Sequence, residues 1–207
     1  MPVDPHSVAE ACQAFVPTSR PSSIPKRWQR SVTVLLGLLL TAVPLSAQPA
    51  SRQIEYQIKA GYLYNFAKFV EWPPPPLPDG SNFRVGILVD ENAYNVIAET
   101  LRGRAIAGHP LEVVLLKPDT DATSCRVVFI PRLAGITPHQ FHVAQPAARV
   151  LLVGEKDGFA ASGGDIGFVP RGDNLRYQVN LAAAEQAGLR LSARLASLAE
   201  IVHVPSL

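Results

Sequence analysis

Four short apolar runs, spaced by segments long enough to hold a helix, constrain this chain more than any other feature. They are FRVGILV at residues 83–89, LEVVLL at 111–116, RVVFI at 126–130 and VLLV at 150–153. Aliphatic and β-branched residues run through them with little polar alternation, the pattern of a strand buried on both faces. Such strands belong to a largely parallel sheet, because the crossovers between parallel strands lay helices over its faces. The spacers supply the helices. Residues 93–101 carry Tyr94, Ile97, Ala98 and Leu101 at helical spacing, residues 102–109 form a glycine-containing turn, and 138–148 read as helical or irregular. The rhythm changes later. Residues 166–169 and 175–179 flank the polar turn Pro170-Arg171-Gly172-Asp173-Asn174 and read as an antiparallel hairpin. Asn180 is placed to cap a helix over 181–187 that Gly188 closes. Residues 191–202 read as a last amphipathic helix, with Ser192 as its cap and Leu191, Leu195, Leu198 and Val202 as a core-facing seam. The predicted fold is α/β in a single domain: a largely parallel sheet flanked by helices, a C-terminal hairpin and two C-terminal helices.

Ahead of the first strand lies IEYQIKAGYLYNFAKFVEW, residues 54–72, free of proline until Pro73–Pro76 stop it. The run of about nineteen residues is long enough for roughly five helical turns. Ser51 is a candidate cap, and Glu55 and Lys59 are spaced as an i,i+4 pair. At 100° per residue the polar members Glu55, Gln57, Lys59, Asn65, Lys68 and Glu71 do not collect on one side. The expectation is a helix covered on more than one face, by its own domain or by a partner. The following Pro73–Pro78 segment reads as a rigid, exposed connector.

The first 47 residues read as a leader. Lys26, Arg27 and Arg30 precede the apolar run 32–43, and Pro44-Leu45-Ser46-Ala47 follows it, which is the order of a secretory signal peptide with cleavage expected after Ala47. The apolar run of about twelve residues is short of the roughly twenty that span a bilayer. The mature chain is then residues 48–207, one domain by length. The leader holds Arg20, Lys26, Arg27 and Arg30 against Asp4 and Glu10, so its removal takes the formal charge from +2 to zero. Nothing basic remains to argue for nucleic acid. Cys12 leaves with the leader, and Cys125 is expected as a small buried hydrophobe at the head of its strand, unable to form a disulfide within the domain.

The search for chemistry assigns no catalytic residue, metal ligand or cofactor site. His139 and His142 could share a helix face, but no further ligands stand nearby at matching spacing, and a solvated pair is the expectation. Ser162-Gly163-Gly164-Asp165 lacks the lysine and helix start of a phosphate loop, so its glycines are read as a tight turn. No serine has the glycines of a nucleophile elbow, and Asp119 and Asp121 lie in a loop. Asn65 and Lys68 stand among Tyr62, Tyr64, Phe66 and Phe69. Either Asn65 bonds a nearby loop while Lys68 reaches past apolar surface to water, or this aromatic side faces a partner, since aromatics dominate interface hot spots.

The blocks Glu55–Pro73, FRVGILV from Phe83, GRAIAGHP from Gly103 leading into LEVVLL, and SCRVVFI around Cys125 occur in order. VLLVGEKDGFAASGGDIGF from Val150 and VNLAAAEQAGLRLSARLASLA from Val179 follow. Together they resemble the YfiR family of exported proteins over essentially the whole mature chain. The resemblance implies an α/β fold, a homodimer and a periplasmic regulator that represses a membrane-bound diguanylate cyclase by binding its periplasmic domain. It also implies an outer-membrane lipoprotein that sequesters the regulator, and control of cyclic-di-GMP and biofilm formation. A membrane sensor kinase is the other partner considered. Family members can carry disulfide-forming cysteine pairs, and this chain departs from them with Cys125 alone. On this reading Tyr62, Tyr64, Asn65, Lys68 and Trp72, with the proline connector, form the expected contact surface. A periplasmic small-molecule binding module is the alternative, since strand ends of α/β sheets commonly hold ligands, and a hydrolase with dispersed catalytic groups is a third.

Overall fold

The computed structural model describes residues 48–172 and 174–202. The basic cluster, the apolar run of the leader and the cleavage position after Ala47 lie outside the described residues, as does Asp173 at the hairpin tip. Helix α1 spans Gln48–Phe69 and is followed by β1 (Val70–Glu71), β2 (Phe83–Leu88), α2 (Glu91–Leu101), β3 (Ala105–Ile106), β4 (His109–Leu116) and β5 (Val127–Ile130). Then come α3 (Pro138–Ala144), β6 (Leu151–Gly154), β7 (Ile166–Arg171), β8 (Asn174–Val179), α4 (Leu181–Gln186), β9 (Arg190–Leu191), α5 (Ala193–Ser197) and β10 (Glu200–Ile201). Among the described residues no helix is long and apolar enough to cross a membrane.

The main sheet runs β10-β8-β7-β6-β5-β2-β4-β3. Its middle five strands are parallel: β2 pairs with β4 on one side and β5 on the other, and β6 and β7 extend the β5 side. The β7–β8 hairpin is antiparallel, with Ile166 opposite Val179. Taken in chain order, the first parallel strand lies between the second and the third. This doubly wound order reverses direction between β2 and β5, and ligand sites of such sheets lie at the carboxyl ends of the strands flanking that reversal.

The alternation of a strand divides the core in two. Val85, Ile87, Val127, Phe129, Leu151 and Val153 face α1, α2 and the C-terminal helices. Val128, Ile130 and Leu152 face the opposite way, towards Phe141 of α3 and Phe159. The sheet is therefore buried on both faces, as its continuous apolar runs demand, and the α/β single-domain expectation holds.

Several boundaries differ from expectation, each for a physical reason. Helix α1 starts at Gln48, which puts Ser51 inside the helix rather than at its cap. Its end comes at Phe69 because the residue before a proline is pushed out of the helical region, so Trp72 is not helical. Val70 and Glu71 instead pair antiparallel with Leu191 and Arg190, and the Ser192 N–H takes the Phe69 carbonyl at 3.0 Å. Helix α1 is also not covered all round. Its buried residues Tyr56, Lys59, Ala60, Leu63, Phe66 and Ala67 recur at three- and four-residue steps, a single inward stripe. The predicted helix over 191–202 breaks into β9, α5 and β10, because Leu191 joins β1 while Glu200 and Ile201 pair with Gln178 and Val179 of β8. Ser192 does cap α5, accepting the Leu195 N–H at 3.3 Å, but only Leu195 of the expected seam is buried. Asn180 caps α4 through the Ala183 N–H at 3.0 Å. Helix α2 begins two residues ahead of the predicted start because Asp90 caps it, accepting the Ala93 N–H at 2.9 Å.

The glycines of Ser162-Gly163-Gly164-Asp165 do two different things. Gly163 takes φ +101°, the turn conformation expected. Gly164, with Gly154, makes room for the Phe159 ring, since a Cβ on either would land on that ring. Cys125 is buried, as expected, and burial pushes its thiol up to about 11.

Candidate functional site

Two features meet along α1: a buried polar network beneath its first half and an open groove beside its second half. The network sits at the carboxyl ends of β2, β5 and β6, where the sheet order reverses. Lys59 is 2% exposed, and its ammonium pairs with Glu155, which follows β6, and with Glu55 one turn back on α1. The Tyr56 hydroxyl lies 3.1 Å from Asp90 Oδ2 and 3.4 Å from Glu155 Oε1 and donates to this carboxylate pair. Glu155 Oε1 also accepts the Arg132 N–H at 2.6 Å. The Arg132 guanidinium donates to the Glu155 carbonyl and to Asp157, each at 3.0 Å. Burial, reinforced by the Glu155 and Asp90 carboxylates, holds the Tyr56 phenol well above its ordinary range, so it stays a donor.

A cleft of about 180 Å³ opens onto this network, with Arg52, Leu133 and Pro170 on its walls. Between β2 and the network's Asp90, Val89, β-branched and exposed, takes φ +62°. That is a strained conformation for such a residue. Each charged member of the network already has a partner inside the protein. Its effect is to clamp the first half of α1 to the sheet and fix which face of the helix looks outward.

The outward face leads into a groove of about 360 Å³ between α1 and α5. Tyr62, Phe66 and Tyr177 form its floor, with ring centroids 5.0 to 5.9 Å apart. Tyr62 donates to the Leu175 carbonyl at 3.1 Å and Tyr177 to the Leu195 carbonyl at 2.9 Å, which locks both rings. Arg194 lies over the Phe69 ring, 5.3 Å from its centroid, a cation–π contact. Leu198 stands at the rim 65% exposed, and Arg176 lines the groove as well. No carboxylate among the described residues lines it.

The five residues expected to form one contact surface divide into three groups. Tyr62 and Asn65 line the groove. Tyr64 and Lys68 lie on the other flank of α1, where Tyr64 reaches the Ala105 carbonyl at 3.4 Å and carries both Lys68 and Arg104 over its ring. Trp72 lies beyond the helix, edge-on to Phe83 at 5.5 Å, with its indole N–H unpartnered. The connector is tied down by Arg126, which donates to the Pro75 carbonyl at 3.2 Å. Sequence reasoning missed Arg176, Arg194 and Leu198. Leu198 was assigned to a core seam, and no local signal marks it as exposed. A helix of only five residues before it was the missing fact.

His139 and His142 fall on α3 and, with Arg149, line a broad open groove against α4. Among the described residues no three His, Cys, Asp or Glu side chains gather at a point.

The YfiR/HmsC-like family model matches residues 56–200, from the sheet-facing Tyr56 of α1 to Glu200 of β10. The match therefore takes in the buried network except Glu55, both sides of the groove and nearly the whole main sheet. No curated protein matches the chain. The matched family is periplasmic, regulatory rather than catalytic, and tied to cyclic-di-GMP signalling. With more than half of its length matched, the chain belongs to the YfiR/HmsC-like family.

Proposed function

We propose that this protein is a periplasmic repressor that binds the periplasmic domain of an inner-membrane diguanylate cyclase and holds it inactive. Residues 1–47 are its export leader, and the working protein begins at Gln48. It acts by occupancy, lowering cyclic-di-GMP output and so restraining biofilm formation. The observation that carries this reading is the outer side of α1: an aromatic groove with a protruding Leu198 and two arginines, beside a buried Lys59–Glu155 pair that is already satisfied. Surfaces rich in aromatic residues and arginine are the ones that supply binding hot spots. Tyr62 and Asn65 are assigned to the contact. Tyr64, Lys68 and Trp72 stand on other flanks and are assigned to its periphery. An outer-membrane lipoprotein that competes for the protein, a homodimeric state and a sensor kinase as the regulated enzyme belong to the same proposal.

Repression of this kind requires tighter binding to the inactive cyclase than to the active one. A tenfold drop in the active population takes a difference of about 1.4 kcal/mol. Deleting the gene is expected to raise cellular cyclic-di-GMP, and overproduction to lower it. Unchanged levels in both strains would refute the proposal.

A second reading, a small-molecule binding module, draws on the cleft of about 180 Å³ at the sheet reversal. A saturable rise in Tm with one nucleotide or amino acid, lost in Arg52→Ala, would favour it.

A further inference from the structure

The groove between α1 and α5 carries information about what it binds. Its floor is apolar and aromatic, yet Arg176 and Arg194 line it with no carboxylate among the described lining residues. None of the ion pairs among the described residues involves either arginine. Glu200, whose carboxylate feels the charge of Arg176, is held by Arg171 through two hydrogen bonds at 2.8 and 3.2 Å. Placed over Phe69 and in none of the hydrogen bonds of the described side chains, the Arg194 guanidinium keeps its donors for a further acceptor.

We infer that this groove receives an acidic peptide segment of a partner protein, with an aliphatic or aromatic side chain seated against Leu198 and Phe69 and carboxylates on Arg176 and Arg194. The inference rests on the reading of the chain as a protein-binding regulator. Charge complementarity selects this occupant over two others. A second copy using the same patch would bring four guanidinium groups into one interface with no counter-charge. An anionic lipid surface calls for a broad basic face, whereas the chain after its leader is neutral overall.

The test places a photo-crosslinking benzoylphenylalanine at Leu198 in the full chain, expressed with its own leader in its native host. Exposed Leu133 and Val143 serve as comparison positions. Cross-linked peptides are identified by mass spectrometry. The expected product at Leu198 is a segment of another protein carrying at least two Asp or Glu within a few residues of the link. Arg176→Glu with Arg194→Glu should cut its yield about tenfold, since each reversal replaces an attraction by a repulsion. Lys117→Glu with Lys156→Glu, both exposed and outside the groove, should leave the yield unchanged, and Tm should be the same in all variants.

A basic segment, a second copy of this chain or no product at Leu198 would overturn the inference. A membrane signalling protein captured at Leu133 or Val143 but not at Leu198 would overturn it while leaving the regulator reading intact. An acidic segment at Leu198 from a protein outside cyclic-di-GMP signalling would support the groove and sink the repressor reading.

Discussion

Asp165 sets a pH dependence that can be worked out from its surroundings. Its carboxyl is 2% exposed, and the one hydrogen bond in sight comes from the Leu152 N–H to Oδ2 at 2.6 Å. Desolvation outweighs that bond and raises the group from 3.8 to about 7. The folded protein therefore holds a proton at pH 5 to 6 that the unfolded chain has released. Stability from this group is fully present below about pH 4, falls as pH rises and levels off above about 7. Three pH units at 1.36 kcal/mol each make the total loss about 4 kcal/mol. Glu112, Asp157 and Glu200 are held below the usual carboxylate range by arginine partners and hydrogen bonds, so their contributions disappear only at acid pH, outside this window. Asp165→Asn keeps an acceptor for Leu152 and removes the charge. At pH 8 the variant should be more stable than wild type by about 1–3 kcal/mol, the 4 kcal/mol recovered less the cost of an amide N–H₂ left without a partner. Urea unfolding of residues 48–207, followed by the fluorescence of Trp72, their one tryptophan, reads both proteins from pH 5 to 8. About two of those three pH units, about 2.7 kcal/mol, are lost between pH 5 and 8, so with a slope of about 2 kcal/mol per molar the wild-type midpoint should fall by about 1.3 M over that range. An equal pH slope in wild type and Asp165→Asn would refute the argument.

Three other substitutions probe the same framework by urea or thermal unfolding. Lys59→Met strands Glu155 in the interior without its cation and should cost about 3–5 kcal/mol, with part of the loss restored by adding Glu155→Gln; a loss below about 1 kcal/mol would mean the clamp is water-penetrated. Val89→Gly relieves a β-branched residue at φ +62° and should raise stability by about 1 kcal/mol, or Tm by about 3 °C. Gly164→Ala drives a Cβ into the Phe159 ring and should cost about 1–3 kcal/mol, recovered in part by Phe159→Leu.

The sheet was legible in the sequence because its strands are buried on both faces, a pattern that needs no knowledge of partners. The inner stripe of α1 was not. Lys59 lies within it, and its counter-charge Glu155 is 96 residues away, so the helix reads as apolar in every direction until the two are brought together. Ile54 and Ile58, apolar and exposed, blur the pattern from the other side. The last segment misled for a related reason. Leu191, Leu195, Leu198 and Val202 have helical spacing, but strand pairing at both ends outbids helix propensity and leaves α5 with five residues. The groove followed from that break, and with it went any chance of naming Arg194 and Leu198 beforehand. Of the expected contact residues, Tyr62 and Asn65 reach the groove because they sit on the flank of α1 that turns towards α5.

The clamp on α1 also bears on how the chain folds. Tyr56 bonds across 34 and 99 residues, Lys59 across 96 and Tyr62 across 113. Helix α1 leads the folded domain, yet every side-chain bond that fastens it inward waits for partners made later. Closing loops of that length is slow, and until β6 and β8 are in place the inner stripe has nothing to cover it. Docking of α1 is thus a late event in folding, and the groove, which needs α5 as its other wall, forms only when both ends of the chain have arrived.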